Sequence, residues 1–188
     1  MKRSTIGLKP IFTSLLIGMF VFGCAHSSYN GERRHWTKND RLFNGKQLEA
    51  QLIWRGTYFS DHFRRAYEKR HIELNHLNAS EAAAWRADQK KTSDKYHEFF
   101  INFYTQREYH EFSLNPDTFW KLVLIAGDGK EISPVTIDEM DVDPYYRKMF
   151  PELNHWSHGY RVLFPKKEIG SNFSLALRSV LGESVLHW

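Results

Sequence analysis

Apolar and polar positions alternate along this chain with two different periods, and the switch between them marks its elements. In KQLEAQLIWRGTYFS (46–60), Leu48, Ala50, Leu52, Trp54 and Tyr58 alternate with Glu49, Gln51, Arg55 and Thr57. A period of two sustained this long predicts a strand with one apolar face. Further strands are expected at 97–106 (HEFFINFYTQ), 119–126 (FWKLVLIA), 130–138 (KEISPVTID), 159–165 (GYRVLFP), 172–180 (NFSLALRSV) and 183–188 (ESVLHW). Gly127-Asp128-Gly129 offers residues that accept the positive φ of a tight hairpin, and Leu181-Gly182-Glu183 marks a second turn. Strands with short connections toward the C-terminus predict an antiparallel β-sandwich of immunoglobulin-like type, mainly β with some α.

Between 60 and 95 the period lengthens. Ser60-Asp61 opens a helix as N-cap and first-turn acid, and Phe63, Ala66, Tyr67, Leu74 and Leu77 fall on one helical face. Asn78-Ala79-Ser80 ends it and caps a second helix, whose stripe holds Ala82, Trp85, Gln89, Thr92 and Tyr96. The pattern predicts a helical hairpin inserted between the first and second strands. The strand after it carries His97, Phe99, Ile101 and Phe103 on one face and Phe100 and Tyr104 on the other. Both faces need cover, so the hairpin is expected to roof whichever face the second sheet leaves open.

The start of the chain follows neither period. Lys2, Arg3 and Lys9 flank an apolar run from Ile11 to Phe22. That run is shorter than the roughly 20 residues of a membrane span, and it reads as the h-region of a secretory signal. Val21-Phe22-Gly23-Cys24 resembles the lipobox of bacterial lipoprotein precursors, with a branched aliphatic at −3, a small residue at −1 and cysteine at +1. Phe22 departs from that pattern, which usually has a smaller residue there. The resemblance covers residues 1–24 only. It implies that the Cys24 thiol takes a diacylglycerol and its new amino terminus a further acyl chain, enough for stable anchoring. Ala25, in place of the aspartate that retains such proteins at the inner membrane, implies the outer membrane, with the folded part in the periplasm. The organisation expected is a signal peptide at 1–23, a lipidated cysteine and tether at 24–39, and a single domain at 40–188 with its hairpin at about 60–95.

Removing the signal changes the charge. The chain has 26 Lys plus Arg against 22 Asp plus Glu, and three of the basic residues lie in residues 1–23. The remaining 23 against 22 leaves no electrostatic footprint for nucleic acid. Cys24 is the only cysteine, so no disulfide within the chain is available and a hydrophobic core must hold the domain.

Candidate chemistry is sparse. Ten histidines invite a metal search, and His155 and His158 follow Asp138, Asp141 and Asp143 closely enough to hold a divalent ion if all five converge. DEMDVD (138–143) lacks the glycine and terminal glutamate of a calcium loop. HEFFI (97–101) and HEFSL (110–114) begin like zinc-protease helices but lack the second histidine four residues on. No G-x-S-x-G elbow or Gly-rich phosphate loop occurs, the thiol is committed to acylation, and Glu108 and Glu111 read as a solvated turn. No cofactor is expected.

DVDPYYRKMFPELNHWSHGY (141–160) is the most individual stretch, a short aromatic helical turn between Pro144 and Pro151 followed by Trp156. Tyr145, Tyr146, Phe150 and Trp156 are the candidate binding residues, in a segment that serves either as a recognition loop or as a plug at the end of the core. The expectation is that Trp156 is structural and at least one tyrosine exposed. The function implied is a non-enzymatic binding or envelope-assembly module with an envelope protein as partner. The rival is a metal-dependent or enzymatic protein using His155, His158 and the aspartates. Because the thiol is the acyl acceptor in this reading, Cys24→Ser should abolish incorporation of an alkyne fatty acid. Equal labelling of the variant would rule out the anchor.

Overall fold

The computed structural model describes residues 28–43, 50–105, 114 and 119–188. The lipobox with Cys24, the first residues of the opening strand at 46–49, and Glu108 and Glu111 lie outside the described residues. In chain order the elements are α1 (Tyr29–Trp36), β1 (Thr37–Phe43), β2 (Ala50–Tyr58), α2 (Asp61–Asn75), α3 (Ala79–Lys95), β3 (Tyr96–Thr105), β4 (Lys121–Ile125), β5 (Glu131–Ile132), β6 (Thr136–Met140), α4 (Pro144–Met149), β7 (His158–Pro165), β8 (Ser174–Ser179) and β9 (Gly182–His187). Among the described residues no helix is long and apolar enough to cross a membrane.

Two antiparallel sheets form, in the orders β1-β2-β3-β7-β6 and β5-β4-β8-β9. Their facing side chains make one core. Leu52, Trp54, Phe99, Ile101 and Phe103 of the larger sheet meet Leu122, Leu124, Leu175, Leu177 and Leu186 of the smaller. Gly56 lies among them because its neighbours leave no room for more. A Cβ there would stand 2.9 Å from Leu186 Cδ1 and 3.2 Å from the Trp188 ring.

The outer face of the larger sheet carries the helices. Both predicted caps are present: Ser60 accepts from the Phe63 N–H, and Asn78 forms a capping box with Glu81. Phe63 and Phe59 pack with Phe100, Met149, Phe150 and Leu153 in a second apolar cluster. Its centre is the Phe100 ring stacked on Phe150 at 3.8 Å and 13°. The outer face of β3 is thus roofed over Phe100, with α4 sharing the task with the hairpin, while the end at Tyr104 lies beyond them.

Two expectations need correction. The segment expected as a tether at 24–39 is, from Ser28 on, part of the domain: Ser28 caps α1, and β1 is an edge strand along β2. The Arg33 guanidinium pairs with Glu152, the Tyr29 hydroxyl donates to the Met149 carbonyl at 2.7 Å, and the Trp188 indole N–H donates to the Trp36 carbonyl at 2.9 Å. A helix that docks through an arginine and a tyrosine hydroxyl leaves little apolar period to read. The strand expected over 130–138 is two strands in different sheets, because the chain crosses between sheets at Ser133-Pro134-Val135, where the proline cannot donate to a ladder.

A buried relay ties the sheets where β1 meets β9. The Trp54 indole N–H donates to Ser184 Oγ at 2.7 Å, and the Ser184 hydroxyl donates to Asp40 at 2.6 Å. Ser184→Ala strands a fully buried indole N–H, so it should cost about 1–3 kcal/mol in urea denaturation. In that background Trp54→Phe should cost less than it does in the wild type, because the stranded donor is removed with the ring. Additive costs would show that the relay is not coupled.

Candidate functional site

Helix α2 sets Phe63, Tyr67 and His71 four residues apart, so the three rings lie along one side of the helix. Trp85 of α3 stacks on His71 at 4.4 Å and 14°, and lies 6.3 Å from Tyr67. From α4, Tyr145 meets His71 edge-on, with its hydroxyl 2.5 Å from Nδ1 and 3.4 Å from the Tyr67 hydroxyl. Tyr146 lies parallel to Phe100 at 6.5 Å. All of these rings except Phe63, with Phe59, Phe150, Met140 and Gln89, line an open cavity of about 250 Å³ between the hairpin and the outer face of the larger sheet.

One charged group lies deep at its base. Glu98 is 3% exposed. Its Oε1 accepts from Arg161 Nε at 2.6 Å, and its Oε2 lies 2.8 Å from an Arg64 nitrogen. Burial works against the Arg161 charge, but the Glu98 carboxylate and its hydrogen bond outweigh burial and raise the Arg161 pKa. Asp138, opposite Arg161 across the β6–β7 pair, lines the same cavity. Burial pushes Tyr145 up to about 12, raises Tyr67 and Tyr146, and lowers His71. At neutral pH the phenols are therefore protonated and the imidazole is neutral.

Of the expected binding residues, Tyr145, Tyr146 and Phe150 come together in this cavity. Trp156 does not. It is 66% exposed and lies over the other half of the sheet's outer face, whereas both tyrosines are half-buried. The expected roles of tryptophan and tyrosines are thus reversed. Trp156 sits on the turn that leads from α4 into β7, while α4 itself presses both tyrosines against α2 and β3.

The five residues considered for a metal take separate places. Asp143 caps α4 by accepting from the Tyr146 N–H at 2.8 Å, His158 pairs with Glu139 at 2.7 Å, Asp138 lines the cavity, and Asp141 and His155 are exposed. Among the described residues no three His, Cys, Asp or Glu side chains group to hold a metal.

Sequence reasoning placed Tyr67 and Trp85 on helical faces as packing residues and passed over His71, Glu98 and Arg161. A signal for Glu98 was present. It shares the parity of Phe100 and Tyr104 on the outer face of the strand, and a carboxylate there needs a cationic partner once covered.

The lowered imidazole makes stability depend on pH. Unfolded His71 takes a proton near its ordinary value of about 6.5, whereas the folded side chain resists it. His97, also buried, with its ring between the Lys167 carbonyl and the Tyr58 hydroxyl, is lowered likewise by burial. Their contribution is present in full above about pH 6.5 and lost as pH falls toward the lowered values. Thermal melting should therefore weaken on the acid side, less steeply in His71→Gln, and the His71 ring should titrate below 6.5 by NMR. A midpoint above 6.5 would contradict the burial argument.

Compared with protein-family models, curated proteins and solved structures, the chain has no match, and its function is read from its own geometry.

Proposed function

We propose that the protein is a lipid-anchored module of the bacterial outer membrane that binds a small ligand in the cavity beneath its helical hairpin without chemically changing it. The observation that carries this reading is the lining: rings from α2, α3, α4 and β3 face one concave space whose Tyr67 and Tyr145 hydroxyls are held in place by hydrogen bonds. Concave, mostly apolar sites with a few fixed polar groups are what small ligands occupy. Binding is favoured over turnover because Glu98, the buried carboxylate of the lining, is tied up in ion pairs with Arg161 and Arg64, and the Tyr145 hydroxyl is held against the His71 ring. An envelope protein that delivers or receives the ligand remains the partner this reading implies.

The anchor rests on the lipobox resemblance at Cys24. Since Ser28 already caps α1, only residues 25–27 separate Cys24 from the folded domain, a reach of about 10 Å. Lys69, Arg70 and Lys148 line the same hollow as Ser28 and suit acidic lipid headgroups. The reading therefore holds the domain against the bilayer rather than out on a stalk.

We infer further that the sandwich is of immunoglobulin-like type. With β2 to β9 taken in turn as A, B, C, C′, D, E, F and G, the two sheets become A-B-E-D and C′-C-F-G. Trp120, buried just before β4, packs edge-on against Phe103 of β3 at 6.1 Å, much as a strand-C tryptophan packs on strand B in that architecture. In this reading β1 is an added edge strand and the helical hairpin an insertion between A and B.

Titrating indole into the full chain in detergent, with the Trp85 indole N–H as NMR reporter, tests the cavity. A saturable shift at Trp85, weakened by His71→Ala and untouched by Trp156→Ala, is expected. Small, unsaturable shifts spread over all six tryptophans would remove the cavity as a binding site.

A further inference from the structure

The half of the larger sheet's outer face that the helices leave open holds a second hollow. Strand register puts Asn39, Arg55 and Asn102 in one row and Arg41, Ile53 and Tyr104 in the next, all outward. Leu153, packed over Gly159 beside Phe100, separates this half from the aromatic cavity. The turn at 154–157 forms the far wall, and the groove between has a volume of about 270 Å³.

Three features of this groove are unused by the fold. Asn102 is 6% exposed, lines the groove, and its Nδ2 has no hydrogen-bond partner among the described residues. A buried amide donor without a partner is costly and calls for an acceptor from outside. Arg41 and Arg55 have no anionic partner among the described residues, whereas the one carboxylate on the wall, Glu152, is taken by Arg33 behind it. Trp156 stands 66% exposed on an ordered turn: its N–H donates to Asn154 Oδ1 at 2.8 Å, and the Asn154 N–H donates to Ser157 Oγ at 3.0 Å. With the backbone of the turn fixed by these bonds, the indole presents an open face on which a ligand can stack.

We propose that this groove is a second binding site, for a sugar ring that carries an oxyanion. The C–H face of the ring lies on Trp156, its hydroxyls accept from Asn102 and meet the polar wall at Asn154, and the carboxylate or phosphate sits between Arg41 and Arg55. Guanidinium groups take either oxyanion in the same forked geometry. A single exposed indole face with amide groups beside it fits a hydroxylated ring better than an aromatic one, which gains most when enclosed by rings on both sides, as in the other cavity. The site is independent of the aromatic cavity and of the lipid anchor.

The test is a titration of the full chain in detergent with glucuronate, glucose 6-phosphate, glucose and benzoate, reading the Asn102 side-chain amide and Trp156 indole signals by NMR. Glucuronate or glucose 6-phosphate should shift both signals saturably, with glucose weaker by about tenfold or more, the worth of one charged hydrogen bond. Whichever of the two binds tighter identifies the oxyanion. Arg41→Gln and Trp156→Ala, both at exposed side chains, should weaken binding by a similar factor without moving the melting temperature. The proposal is overturned if neither anionic sugar gives a saturable shift, if glucose binds equally well, or if benzoate binds as tightly as glucuronate. It is also overturned if Arg41→Gln leaves binding unchanged while the wild-type signals respond.

Discussion

Everything on the functional side of this molecule follows from β3 being apolar on both faces. Phe99, Ile101 and Phe103 point into the space between the sheets, and Phe100 points out of it. A strand in an ordinary two-layer sandwich shows one face to water. Here the outward phenylalanine must be covered, and Phe150 covers it by face-to-face stacking. That contact holds α4 against the sheet, which in turn brings Tyr145 to His71 and Tyr146 beside Phe100. The third layer exists because the second could not remain open.

The third layer covers the sheet incompletely, and the incompleteness makes the two hollows. Over the row of Phe100 and Arg161, the hairpin and α4 meet the sheet through rings that pack edge and face but leave a gap among them. Over the rows of Asn102 and Tyr104 no helix arrives among the described residues, and the 154–157 turn stands beside the strands. One hollow is lined by rings around the Glu98–Arg161 pair, and the other by amides and guanidinium groups that, among the described residues, have no anionic partner, beside a single indole. Such different linings on one sheet face argue for ligands of different chemistry.

The buried ion group at Glu98 belongs to the same logic. Covering the sheet's outer face puts a carboxylate under the helices, where it is tolerable only when paired. Arg161 comes from the neighbouring strand and Arg64 from the first turn of α2, so the group joins the sheet to the helix above it. It specifies how the hairpin sits, while the aromatic cluster supplies most of the burial.

Periodicity alone was enough to locate β2, β3, β4, β7, β8, β9 and the helical hairpin, because each buries one face or both and so writes a period of two or 3.6 into its residues. The double-sided β3 was also enough to require a covering layer. Elements whose burial runs through polar side chains were silent: α1 docks by Arg33 and the Tyr29 hydroxyl, and β1 is an edge strand reading TKNDRLF with almost no alternation. The split of 130–138 was hidden because a crossover at a proline leaves the alternation on either side intact. The site was only half legible. Tyr145, Tyr146 and Phe150 stood out as an aromatic cluster, but His71, Trp85, Glu98 and Arg161 come from four other elements and meet only once the hairpin is folded onto the sheet. Whether Trp156 or the tyrosines are buried depends on where α4 ends and the turn begins relative to the sheet. That is a distance in space, and local sequence pattern does not carry it.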